Sequence, residues 1–168
     1  MAEYHEAGER EAFLRERAAM VKLCAGMSPA QVQERLAFLD TAARAGHVGA
    51  QIDFYMEGPY GRDFDVADNP GDPTVVQWKT DALAYLKQAG RTCDQFALAL
   101  LSTVYDAGQL TGRDPEAAMA YSIAAAVPRK KLLAEAQLRE RFGDELSAAQ
   151  FASAQQRGAS LAREACAK

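Results

Sequence analysis

Residues 42–51 (Ala-Ala-Arg-Ala-Gly-His-Val-Gly-Ala-Gln) return, loosened, as residues 89–98 (Ala-Gly-Arg-Thr-Cys-Asp-Gln-Phe-Ala-Leu). In each copy an Ala-Ala or Ala-Gly pair closes one amphipathic segment, and a second segment opens a few residues later. A repeated helix–turn–helix unit constrains the fold strongly, because no unit can bury its apolar face alone and the copies must stack. Composition points the same way. The chain of 168 residues is 49% hydrophobic, rich in alanine and sparse in Val, Ile and Thr, which favours helices over strands. The expected fold class is all-α, in a single domain spanning residues 1–168.

Helical spacing divides the chain further. Residues 4–24 carry an apolar stripe of Phe13, Leu14, Ala18 and Val21, and Gly26 ends that segment. Ser28, Pro29 and Gln31 read as an N-cap, a first helical position and the closing half of a capping box. The helix they start buries Val32, Leu36 and Leu39 and ends near residue 45. A short helix over about 47–57 leads to Gly58-Pro59-Tyr60-Gly61. Residues 62–77, with Asp63, Asp65, Asp68 and Asp72, read as an inserted acidic loop. Helical pattern resumes around Trp78 and continues through Ala82, Tyr85, Leu86 and Ala89. A helix over 94–107 stops at Gly108, and Asp114-Pro115 caps and starts the next, which ends near 127. Two final helices are expected over 129–141 and 145–165, divided by Gly143 and capped by Asp144, for about eight in all.

The better copy places Cys93 at a turn, then Ala97, Leu101, Tyr105, Gly108, Asp114, Ala118, Tyr121 and Ala125-Ala126. The earlier copy supplies Gly46, Ala50, Gln51, Phe54 and Gly61, with Ala82, Tyr85 and Ala89 after the insertion. This pattern resembles the Sel-one-like repeat, a relative of the tetratricopeptide repeat, over about residues 28–127. Two departures stand out: Cys93 where glycine is usual, and Gly58 where a tyrosine is. The resemblance implies a short right-handed α-solenoid, with residues 1–27 and 128–168 as capping helices. It also implies a protein that works as an adaptor, regulator or envelope- and secretion-associated factor.

Other classes of function find less support. The net charge is −4 with basic residues scattered among acids, so a nucleic-acid partner is not expected. No run approaches the roughly 20 apolar residues of a membrane span. The first six residues have neither a basic start nor an apolar run, so no signal peptide is read there. A leader already removed would leave the same start, and both a periplasmic and a cytoplasmic setting stay open. No nucleophile-elbow, Walker or dinucleotide glycine motif is present, and the chain is not expected to be an enzyme or to need a cofactor. His5 and Glu9, one helical turn apart, read as solvated charges, and no metal site is expected. With helices alternating in direction, Cys24 and Cys93 fall at opposite ends, whereas pairing of Cys93 with Cys166 stays open.

The expected partner is another protein or a peptide. Its contacts are placed on the first helix of each pair, at Gln51, Tyr55, Gln95, Ser102 and Asp106, and at the edges of the acidic loop, at Tyr60, Arg62 and Trp78. Alternatives carried with this reading are an immunity-type protein capping a toxin, an accessory subunit or chaperone of an envelope enzyme, and a metal-responsive sensor built on the acidic loop.

Overall fold

The computed structural model describes residues 34–61, 65–128, 130 and 133–166, together with Arg15, Ala18 and Lys22. The chain divides into two compact units, residues 1–35 and 36–168. In the first, Arg15, Ala18 and Lys22 are helical and exposed. The rest of the expected N-terminal helix, the Ser28–Gln31 start, Val32, the His5/Glu9 pair and Cys24 lie outside the described residues.

Among the described residues the protein is all-α, without a strand. Seven helices follow in order: α1 (Arg35–Arg44), α2 (Val48–Glu57), α3 (Pro73–Gly90), α4 (Gln95–Ala107), α5 (Pro115–Ala126), α6 (Glu135–Phe142) and α7 (Ala148–Cys166). Packing runs along the chain, with α2 against α3, α3 against α4, α4 against α5, and α5 against α7. That succession is compatible with a helical solenoid.

Side-chain caps fix where the helices begin. Asp94 accepts the Ala97 N–H at 2.8 Å and Asp114 that of Ala117 at 2.9 Å. Pro115 follows Asp114 at the first helical position, where its missing N–H costs nothing. Asp72-Pro73 repeats that device, with Asp72 accepting from Thr74 at 2.7 Å and Val75 at 3.2 Å. α3 therefore starts at Pro73, and the acidic loop ends at Asp72, earlier than the expected residue 77. The last helix is also capped differently from expectation. Ser147, not Asp144, accepts the Gln150 N–H at 3.3 Å, while the Gln150 side chain accepts from the Ser147 N–H at 3.1 Å.

The turns between helices carry the repeat. Gly46 (φ 89°) and Cys93 (φ 63°) are left-handed, as are Gly61 (φ 100°) and Gly108 (φ 69°). The two pairs have the same separation in sequence. A non-glycine residue in that conformation costs roughly 1–2 kcal/mol, so Cys93 occupies a glycine's position under strain. It is also bonded: Cys93 and Cys166 form a disulfide, with α-carbons 4.9 Å apart. The pairing left open by sequence is present, tying the α3–α4 turn to the end of α7.

α5 is the centre of the core. Ala117, Ala118, Met119, Ala120, Tyr121, Ala124, Ala125 and Ala126 are all buried, as expected for a helix apolar on every side. α7 reaches it through Gly158, where a Cβ would stand 2.8 Å from the Ala120 carbonyl oxygen and 2.8 Å from the Ile123 Cβ. Across the α4–α5 pair, Tyr105 and Tyr121 stack with ring centroids 5.6 Å apart. Upstream, Phe54 meets Tyr85 edge-on at 5.2 Å.

Candidate interaction surface

Three of the partner-contact candidates line two shallow depressions, Tyr55 of α2 and Trp78 of α3 the first and Ser102 of α4 the second. Tyr55, Met56, Gly61, Val66, Trp78 and Gln109 line the first, of about 240 Å³. Tyr55 lies over Trp78 with centroids 6.2 Å apart and planes 10° from parallel. Its hydroxyl donates to Gln109 Oε1 at 2.7 Å, spanning from α2 to the end of α4. Burial pushes the Tyr55 hydroxyl above its ordinary pKa. Met56 beside it is 42% exposed.

Tyr60 stands near the same depression, 54% exposed. Its hydroxyl donates to Asp72 Oδ1 at 3.0 Å, the oxygen that also caps α3. Burial acts to raise the Asp72 pKa; the Tyr60 hydrogen bond and those from the helix N–H groups outweigh it and hold the carboxyl low. Asp65 accepts its hydrogen bond locally, from the Ala67 N–H at 2.8 Å. Two of the acids offered by the loop thus stabilise the backbone around it. Asp63 and Arg62 lie outside the described residues.

Ala99, Ser102, Thr103, Ser122, Leu133 and Arg141 are among the residues lining the second depression, of about 220 Å³. Its edge is charged. Arg141 donates to Asp106 Oδ2 at 2.9 Å, and Arg113 stands 3.5 Å from Asp106 Oδ1 while pairing with Glu145 at 2.6 Å. Asp106 therefore links α4 to α6, as Gln109 three residues on receives the bond from α2. On the same helices Phe96 is 51% and Val127, just past α5, 39% exposed.

The structure sorts the sequence candidates. Tyr55 and Trp78 come together, and Tyr60 bonds Asp72 apart from them; Ser102 lines the second depression, Asp106 pairs with Arg141 at its edge, and Gln95 opens α4 half-buried. Three of them are buried, which corrects the reading from helical phase for Gln51 and Ser102 and the reading from the loop edge for Trp78. Gln51 is fully buried and donates Nε2 to the Ala43 carbonyl at 3.1 Å, joining α2 to α1. Ser102 is 4% exposed and donates to the Ala118 carbonyl at 2.8 Å. Trp78 is buried and donates Nε1 to the Phe54 carbonyl at 3.1 Å. α3 and α4 each pack between two helices, and α2 packs on α3 while Gln51 reaches back to α1, so the solvent-facing strip of each is narrower than a free amphipathic face.

Phe96, Thr103, Arg141 and Val127 were not singled out from sequence. Phe96 follows the capping residue by two positions and breaks the polar pattern expected of an exposed strip, a signal that could have been read. Among the described residues no group of three His, Cys, Asp or Glu side chains converges as a metal site, and no helix is long and apolar enough to cross a membrane. In comparison with known proteins, no family model, curated protein or solved structure matches the chain.

Proposed function

We propose that the chain is a short helical-repeat scaffold, similar to the Sel-one-like repeat proteins, that binds a protein or peptide along α2 and α4 without catalysis of its own. The observation that carries this reading is that large apolar side chains stay exposed on helices otherwise tied down by polar pairs. Met56 is exposed on α2 in the depression fixed by Tyr55–Gln109, and Phe96 is exposed on α4, the helix that Asp106–Arg141 ties to α6. Such a surface offers apolar anchors with a polar rim, the usual anatomy of an interface. Support for the repeat comes from the matched left-handed turns at Gly46 and Cys93 and at Gly61 and Gly108. The Cys93–Cys166 bond favours the envelope setting over the cytoplasmic one, because structural disulfides persist in oxidising compartments.

The test is affinity capture from native extract with wild-type protein beside an Ala99→Glu/Thr103→Arg variant, which fills the second depression with charge. A stoichiometric partner held by wild type and lost by the variant supports the reading. Equal capture by both places the contact elsewhere, and no stoichiometric partner with either removes the dedicated-binder reading.

A further inference from the structure

On the side of the molecule held by the disulfide, the end of α3 and the last turns of α7, with Leu98 of α4 and Tyr121 of α5, border an open cavity of about 350 Å³. Lys87, Arg91 and Glu164 line it together, and Leu98, Leu161 and Tyr121 give it an apolar body. This volume lies in the range of small-molecule sites, which combine apolar walls with a few convergent polar groups. Arg91 precedes Cys93 by two residues and Glu164 precedes Cys166 by two, so the disulfide pins the walls at a fixed separation.

Three polar groups here are unspent. Neither Lys87 nor Arg91 forms an ion pair among the described residues; the Lys87 ammonium rests over the Tyr105 ring, 5.8 Å from its centroid. The Tyr121 ring is buried, and its hydroxyl, which makes no hydrogen bond among the described residues, is open to the cavity. Burial, reinforced by Tyr105, keeps that hydroxyl protonated against the pull of Arg157 and Arg91, so it is a donor. Glu164, by contrast, already accepts from Ser160 at 2.9 Å. In a chain of net charge −4, two cations, one carboxylate already bonded to Ser160 and an accessible phenolic hydroxyl line an apolar recess.

We propose that this cavity binds a small organic carboxylate, with Arg91 and Lys87 receiving the carboxylate, Tyr121 donating to it, and Leu98 and Leu161 covering an apolar body. Guanidinium and carboxylate match as a planar pair, and such charge-assisted bonds are about twice as strong as neutral ones. The site is separate from the surface on α2 and α4. The same chemistry is offered by a free acid and by the C-terminal residue of a peptide.

Calorimetric titration of the oxidised protein tests this with 3-phenylpropanoate, its neutral amide, and an N-acetylated tetrapeptide ending in a free phenylalanine carboxylate. Methyl shifts of Leu98 and Leu161 in wild type locate the ligand independently of any variant. Saturable binding of the free acid is expected, with shifts at both leucines. Affinity should fall about tenfold or more for the amide and for a Lys87→Met/Arg91→Gln variant, the loss expected when a charge-assisted pair becomes a neutral contact. Binding of the peptide but not the free acid supports the site and assigns the source to a chain terminus. No saturable binding of either carboxylate, equal binding of the amide, or unchanged affinity in the double variant overturns the proposal.

Discussion

The hydroxyl of Tyr85 donates to Asp40 Oδ1 at 2.6 Å, joining the middle of α3 to α1 across the first hairpin. Arg44 closes the other side of the carboxylate, with Nε 2.9 Å from Oδ2. This is the polar clasp of the N-terminal half of the repeat, since α1 buries only Ala43 outright. Tyr85 itself is buried and pressed edge-on by Phe54. Tyr85→Phe should cost about 1–2 kcal/mol, the range between a neutral hydrogen bond and one to a charged group. Chemical denaturation of wild type and variant measures it.

The same clasp sets a pH dependence with opposite signs at the two extremes. Burial, then the bond to Asp40, raises the Tyr85 hydroxyl from 10.0 to about 12. Its contribution is whole below pH 10 and is lost as pH climbs from 10 towards 12, because the unfolded chain releases that proton first. Asp40 behaves in reverse. Burial acts to raise it, but the bonds from Arg44 and Tyr85 and the Arg44 charge hold it below 3.8. Its contribution is whole above that value and is lost as pH falls below it. Melting temperature against pH should therefore drop at both ends, and Tyr85→Phe should flatten the alkaline limb.

Removing the disulfide by Cys93→Ser/Cys166→Ser should cost about 2–4 kcal/mol, typical of a long loop released in the unfolded chain. Cys93→Gly/Cys166→Ser should be the milder change. Glycine relieves the left-handed strain at position 93, worth roughly 1–2 kcal/mol, less about 0.4–1 kcal/mol of extra unfolded-chain freedom. A double variant with glycine no more stable than the one with serine would argue against a strained Cys93.

Two glycines should respond in opposite directions. At Gly158 the added methyl of alanine meets the Ala120 carbonyl and Ile123 at 2.8 Å, and neither a backbone oxygen nor a branched Cβ can step aside. Overpacking of about 1–3 kcal/mol should exceed the helix-propensity gain of about 1 kcal/mol. At Gly49, near the start of α2, nothing lies within 4 Å, and alanine should stabilise by about 0.5–1 kcal/mol. Thermal melts of the two variants decide both.

The fold was legible where a local signal sufficed. Asp114-Pro115 announced α5 because cap and first turn are chemically specified by neighbouring residues. Asp72-Pro73 is the same signal, hidden among the aspartates of the loop before it. Side-chain exposure was less legible. Gln51 and Ser102 sit in the phase of an inner face, yet each spends its hydrogen bond on a neighbouring helix. The cavity beside the disulfide could not be read at all, since Lys87, Tyr121 and Glu164 come from three helices far apart in sequence. Periodicity reports which face of a helix is apolar; it does not report how many neighbours cover that face.

The most direct test of a partner surface on α4 is site-specific photo-crosslinking in the native host. A photoreactive residue at Phe96 is compared with one at Gln156 on α7; both positions are exposed. The account predicts a discrete crosslinked partner from position 96 and none from position 156. The same partner from both positions, or from 156 alone, would contradict it.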